Sequence, residues 1–167
     1  MRRIVLTSLA ATLLLLCAAA PAEANSAYAS FGFGSGIKMV KSNTQFKVTQ
    51  ELGMHLQGWS SGFALAIAFA ESFGDDIVVF QVGPRFVWDI PVARRFVIGP
   101  FLQPGYALRA PSGGEADHFF NLQLGFAMKL LLPGRLLLFF QPFGLDMHFA
   151  DPVWMRYDLV GGLGLRF

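Results

Sequence analysis

Three histidines are the side chains best suited to chemistry: His55, His118 and His148. His118 follows Asp117 and lies close to Ser112, so a serine, a histidine and an acid could assemble a hydrolytic constellation near one rim of the fold. His148 sits two residues after Asp146, a pair too sparse for a metal site, and no HExxH spacing occurs anywhere. Phe31-Gly32-Phe33-Gly34-Ser35-Gly36 lacks the G-x-G-x-x-G spacing of a phosphate loop and has no strand before it, which excludes nucleotide binding on that motif. The single cysteine, Cys17, lies in the first twenty residues, inside an apolar run. Lipidation there is disfavoured because Leu14-Leu15-Leu16 supplies no small residue before it. No catalytic, cofactor or metal ligand set emerges.

Most of the remaining polar residues fall on a two-residue period. Val78, Phe80, Val82, Phe86 and Trp88 share one parity, while Gln81, Arg85 and Asp89 take the other. Phe120, Leu122, Leu124, Phe126, Met128 and Leu130 oppose Asn121, Gln123 and Lys129. Lys47, Glu51, His55 and Gln57 follow the same rule, as do Arg156, Asp158 and Arg166 near the end of the chain. Phe63, Leu65, Ile67 and Phe69 alternate with Ala64, Ala66, Ala68 and Ala70. Such alternation is the signature of strands with two unlike faces.

Charged residues make up 14% of the chain, well below the roughly 25% of an ordinary soluble domain. Arg2 and Arg3, the apolar stretch from Ile4 to Ala20 and the small residues around Glu23 resemble an export signal over 1–24, leaving one domain over 25–167. Beyond the signal no apolar run is long enough for a spanning helix. Without Arg2, Arg3 and Glu23, the 13 basic and 11 acidic residues fall to 11 and 10. That balance argues against nucleic acid as a partner.

Eight strands are predicted, over 26–36, 45–57, 62–73, 77–90, 95–109, 118–132, 136–149 and 154–167, separated by polar or breaker-rich stretches such as 110–117 and Pro133-Gly134-Arg135. The fold class that follows is all-β: a closed antiparallel up-and-down transmembrane β-barrel. An even strand number puts both termini at one end, with the short turns there and the long 110–117 loop opposite. Because a lipid-facing charge costs about 2 to 4 kcal/mol at the bilayer midplane, the polar parity must turn inward. The expected lumen network is Lys47, Glu51, His55, Gln81, Arg85, Asp89, Gln123, Lys129, Arg156, Asp158 and Arg166. An eight-stranded lumen is only wide enough for side chains to fill, so these groups should plug it. Pro84, Pro100, Pro104 and Pro142 fall inside strands and predict bulges or bends, with parity changing around Pro142. Trp59, Trp88 and Trp154 fall near strand ends, where interfacial anchoring is expected.

The last strand ends on Phe167, with Leu165, Leu163, Gly161, Leu159 and Tyr157 at every second position before it. This resembles the terminal signal of outer-membrane barrels, and the whole of 25–167 is similar to the small outer-membrane β-barrel family. The resemblance implies a bacterial outer-membrane location and contact with outer-membrane lipids and lipopolysaccharide. It also implies assembly by the barrel-assembly machinery through Tyr157, Leu163, Leu165 and Phe167, and a structural, adhesive or envelope-integrity role without catalysis or cofactor. Two alternatives remain. One is a lipid A-modifying outer-membrane enzyme, although Asp117-His118-Phe119-Phe120-Asn121 lacks the serine that the deacylase family carries two residues after its histidine. The other is a periplasmic lipocalin-like barrel, which requires Phe63, Leu65, Phe80 and Phe126 to line a cavity.

Overall fold

A computed structural model describes residues 27–39, 44–56, 62–74 and 77–167. The expected signal peptide with Cys17, and also Gln57 and Trp59, lie outside the described residues. Eight strands follow one another: β1 Ala27–Lys38, β2 Thr44–His55, β3 Gly62–Gly74, β4 Ile77–Ala93, β5 Phe96–Pro111, β6 Asp117–Leu131, β7 Leu136–Phe149 and β8 Trp154–Arg166. Each pairs antiparallel with its sequence neighbour, and β8 pairs with β1, so the sheet is a closed barrel. The N-terminal start of β1 and the end of β8 share one end, called proximal here. The distal end carries the 112–116 loop.

Period-two alternation of the sequence becomes a wall with two sides. Phe63, Leu65, Ile67, Phe86, Trp88 and Phe120 are each more than 40% exposed and point outward. Ala64, Ala66, Ala68 and Ala70 are buried inward, where Ala64 and Ala66 pack with Tyr28, Val87 and Phe101. Phe80 and Phe126 share the outward parity of their strands. A lipocalin-like barrel needs these four bulky groups around an internal cavity, so that reading is overturned.

The prolines behave differently from expectation at three of four positions. At Pro142 the register shifts against both β6 and β8, so one extra residue enters β7 and parity reverses. Before it Leu137 and Gln141 are buried; after it Gly144, Asp146 and His148 are. At Pro84, Pro100 and Pro104 the register is constant: Pro84 pairs with Ile67 in β3, and Pro100 and Pro104 pair with Phe126 and Leu122 in β6. Ladder pairs are missing only towards the other neighbour, between Val82↔Tyr106 and Phe86↔Leu102 and between Val87↔Phe101 and Ile90↔Ile98.

The physical reason is that successive residues of an antiparallel strand aim their N–H groups at alternate neighbours, so a proline removes donors on one side only. The offset on either side of the first gap sets Pro84 opposite Pro104, which concentrates two missing donors in one rung. Gly83 adjoins that rung, and a Cβ there would lie 2.2 Å from the Pro104 carbonyl oxygen. A second departure concerns the predicted turn at 91–94. β4 instead continues through Pro91 to Ala93, with a register shift just before an Arg94-Arg95 turn.

Ile67 lies mid-strand, outward and 54% exposed. Ile67→Arg is expected to lower bilayer-embedded stability by about 2 to 4 kcal/mol in denaturant titration. A cost below about 1 kcal/mol would contradict the outward assignment.

Candidate functional site

Side chains on the inward parity form two groups. The distal one is organised by Arg156 of β8, which is fully buried. Its Nη1 donates to Gln45 Oε1 of β2 (3.1 Å) and Ser72 Oγ of β3 (2.9 Å). Its Nη2 donates to Gln81 Oε1 of β4 (2.8 Å) and Asp146 Oδ2 of β7 (2.7 Å), and its Nε lies 2.8 Å from Asp158 Oδ1. One planar guanidinium therefore ties β2, β3, β4 and β7 to β8, a use for which its fixed fork of donors is suited.

Each of the two acids accepts more than one donor. Lys47 Nζ and Gln123 Nε2 (2.7 Å) donate to Asp158. Gln81 Nε2 (2.7 Å) and Asn121 Nδ2 (3.2 Å) donate to Asp146. His148 Nε2 lies 3.0 Å from Asp146 Oδ2, and its ring stacks on Trp154 with centroids 3.6 Å apart and planes 14° apart. Phe119 packs against both rings, and Lys38 Nζ lies 5.3 Å from the Trp154 ring centroid. Trp154 thus turns inward over the distal end of the network. Its expected role as an outward interfacial anchor is corrected: it shares the parity of Arg156, whereas Trp88 does point outward.

The proximal group centres on Asp89, whose Oδ2 receives Lys129 Nζ (2.7 Å) and lies against His55 Nε2. Tyr28 Oη donates to Glu51, Arg85 Nη1 lies 3.3 Å from Glu51 Oε2, and Arg85 Nη2 donates to Gln141 Oε1 (3.1 Å). The Arg85 guanidinium also lies 3.6 Å from the Phe101 ring centroid. Two lumenal pockets between these side chains have volumes of about 20 Å³ each, and both touch Ser30, Glu51, Arg85 and Phe139. A larger recess of about 280 Å³ shares only Ser30 and Glu51 with both of these pockets, and Gln50 and Phe69 with one of them. It is an apolar hollow lined chiefly by Ala29, Phe31, Leu52, Phe69, Leu163 and Leu165.

Of the residues named from sequence, Lys47, Gln81, Gln123, Arg156 and Asp158 meet in the distal group, and Glu51, His55, Arg85, Asp89 and Lys129 in the proximal one. Arg166 joins neither through its guanidinium Nη2, which donates to the carbonyls of Leu132 (2.9 Å) and Gly134 (2.7 Å). It is a clamp on the β6–β7 turn, because its position at the very end of β8 leaves it level with that turn. Tyr28, Gln45 and Ser72 were missed. Sequence parity puts Asn121 on the polar side, and Gln141 on one register with Asp146 and His148 on the other around Pro142, but none of the four is in the expected network. Tyr28 and Gln45 were legible by parity with Ser30 and Lys47. Asp146 and His148 require the reversal at Pro142 to be carried through to the end of β7.

Asp117 and His118, the acid and base of the expected hydrolytic constellation, each hold another partner. Asp117 is bound by Arg109 (Nε, 2.9 Å) and His118 Nδ1 by the Tyr106 hydroxyl, both on the exposed rim. Leu163 and Leu165 project outward, while Tyr157 and Phe167 are half-buried. Tyr157 donates its hydroxyl proton to the Pro142 carbonyl, and Phe167 N donates to the Ala27 carbonyl (2.9 Å).

Removing one partner from a buried charge cluster strands the others. Arg156→Leu is therefore expected to destabilise the barrel by about 3 to 5 kcal/mol in denaturant titration, whereas Arg109→Leu on the rim should cost under about 1 kcal/mol. Equal effects would remove Arg156 from its organising place.

No protein-family model and no curated protein matches the chain. Solved structures do. Neisserial surface protein A superposes with a TM-score of 0.64 at 12% identity, over 84% of this chain and 96% of that one. A major outer membrane protein of Thermus thermophilus gives 0.62 at 10%, over 85% and 100%. The attachment invasion locus protein of Yersinia pestis gives 0.54 at 12%, over 85% and 97%. The chain has the fold of the small eight-stranded outer-membrane β-barrels.

Proposed function

We propose that this chain is an integral protein of the bacterial outer membrane. Its lumen is closed by the Arg156 and Asp89 clusters, and its role is structural, adhesive or in envelope integrity rather than conducting. The observation that carries this reading is the division of the wall. Bulky apolar side chains project outward from every strand, while most of the strands' charged side chains turn inward. In water an outward face of that kind would expose a large contiguous apolar surface; in a bilayer it meets acyl chains. Closure leaves no unpaired sheet edge in the hydrocarbon, which is the condition for a sheet to span it.

A closed lumen is supported by what fills it. Arg156, Asp146, Asp158 and His148 are all fully buried, and pockets of about 20 Å³ hold about one water molecule each. With no passage for solute, the parts available to partners are the distal loops, of which 112–116 is exposed throughout. One barrel of this fold is named for attachment and invasion, and an adhesive role for this chain would be carried by those loops.

Refolded in detergent or vesicles, the protein should migrate faster on gels unheated than after boiling. Water solubility with no such shift would overturn the membrane reading. In planar bilayers the refolded protein should give no stepwise conductance. Reproducible channel steps would refute the closed lumen while leaving insertion intact.

A further inference from the structure

Exposed charge is divided unequally between the two ends of the barrel. At the proximal end, the strongly exposed charged side chains among the described residues are Arg94, Arg95 and Arg135. The acids of the proximal group, Asp89 and Glu51, turn into the lumen, held by Lys129 and His55 and by Tyr28 and Arg85 respectively, and residues 57–61 contain no charge. The distal end instead exposes Glu115, Asp117 and Asp151.

The three arginines belong to one connected stretch of backbone. The Arg95 carbonyl accepts from Leu131 N (2.8 Å), joining the β4–β5 turn to the end of β6. The Arg135 carbonyl accepts from Arg166 N (2.7 Å), joining the β6–β7 turn to the end of β8. Beside the first turn the outward face of β4 is apolar: Trp88, Ile90 and Val92 are 54%, 47% and 60% exposed. β4 and β5, at 17 and 16 residues, are also the longest strands. The apolar wall therefore runs to the foot of the arginines. Guanidinium groups there would stand where hydrocarbon gives way to headgroups, with an aromatic ring of the type enriched at that depth just inside them.

We propose that Arg94, Arg95 and Arg135 form a docking arc for the phosphates of anionic phospholipids in the leaflet that the proximal end faces. Guanidinium binds phosphate through paired, charge-assisted hydrogen bonds, and among the described side chains no exposed carboxylate at this end opposes that attraction. An acidic protein partner fits less well, because the arginines border a lipid-facing wall.

The inference rests on the membrane-inserted reading. Its test is lipid selectivity in vesicles of phosphatidylcholine containing the refolded full chain and trace spin-labelled phosphatidylglycerol or phosphatidylcholine. The fraction of each label immobilised at the protein is read by electron spin resonance. The wild type should prefer phosphatidylglycerol about threefold to fivefold at low salt. That preference should fall to about one in R94Q/R95Q/R135Q, and in the wild type at 1 M salt. No preference in the wild type, or one surviving both the substitutions and the salt, would overturn the arc. Should the triple variant fail to fold, R94Q/R95Q on the exposed turn and the salt arm decide the same question. If the wild type itself neither inserts nor shifts on heating, it is the membrane reading that fails.

Discussion

The rungs from Tyr28↔Arg166 to Lys38↔Arg156 join the last strand to the first, and this pairing gives every strand two neighbours. A sheet in hydrocarbon has no water to satisfy an exposed N–H or C=O, so an open edge would cost several kcal/mol per group. Closure removes the edge and, with it, the freedom of any strand to turn over. Once β1 and β8 are joined, all eight strands must agree on which parity faces in. Small residues make the joint possible. A Cβ on Gly34 would lie 1.9 Å from the Leu159 carbonyl oxygen, and one on Gly162 would lie 2.1 Å from that of Phe31, so β1 and β8 approach more closely than ordinary side chains allow.

A closed ladder also explains where prolines are tolerated. Pro84, Pro100 and Pro104 all withhold their donors from the β4–β5 seam, leaving β3–β4 and β5–β6 unbroken. Two losses in one rung disturb the ladder once, whereas the same losses on different seams would interrupt it twice. Pro142 is handled by the other available device, an extra residue in β7 that shifts the register against both neighbours. The reversal of parity there brings Asp146 and His148 to Arg156.

The strands were legible because their signal is local. Alternation of residue types needs no partner to be recognised, and most of the predicted spans lie within two residues of those observed. Arg156 and Asp158 could likewise be assigned a common side from period two alone. What sequence could not supply is which groups meet across the lumen. Arg156 and Ser72 are 84 positions apart, and their 2.9 Å contact depends on the tilt and stagger of all the intervening strands. Trp154 went astray for a related reason: its place at a strand end suggested an interface, but parity outranks position, and its parity is that of Arg156. At Pro84 and Pro104 the missing information was direction, since a residue's identity does not say which neighbour its N–H would have faced.

Buried ion clusters seldom stabilise a fold more than well-packed apolar groups of similar volume would. Their presence here has a different physical consequence. In this barrel an apolar lumen would make the two parities nearly equivalent, because the outer wall is apolar as well. A strand slipped by one residue would then exchange faces at little cost, and the register would be poorly specified. With Arg156 and Asp158 on β8, Lys47 and Glu51 on β2, and Arg85 and Asp89 on β4, the same slip drives charges into lipid, at about 2 to 4 kcal/mol for each arginine or lysine near the midplane. It also leaves their former partners unpaired inside. The clusters thus act on the difference between the correct barrel and its slipped alternatives, which is where a sheet with one hydrocarbon face most needs discrimination.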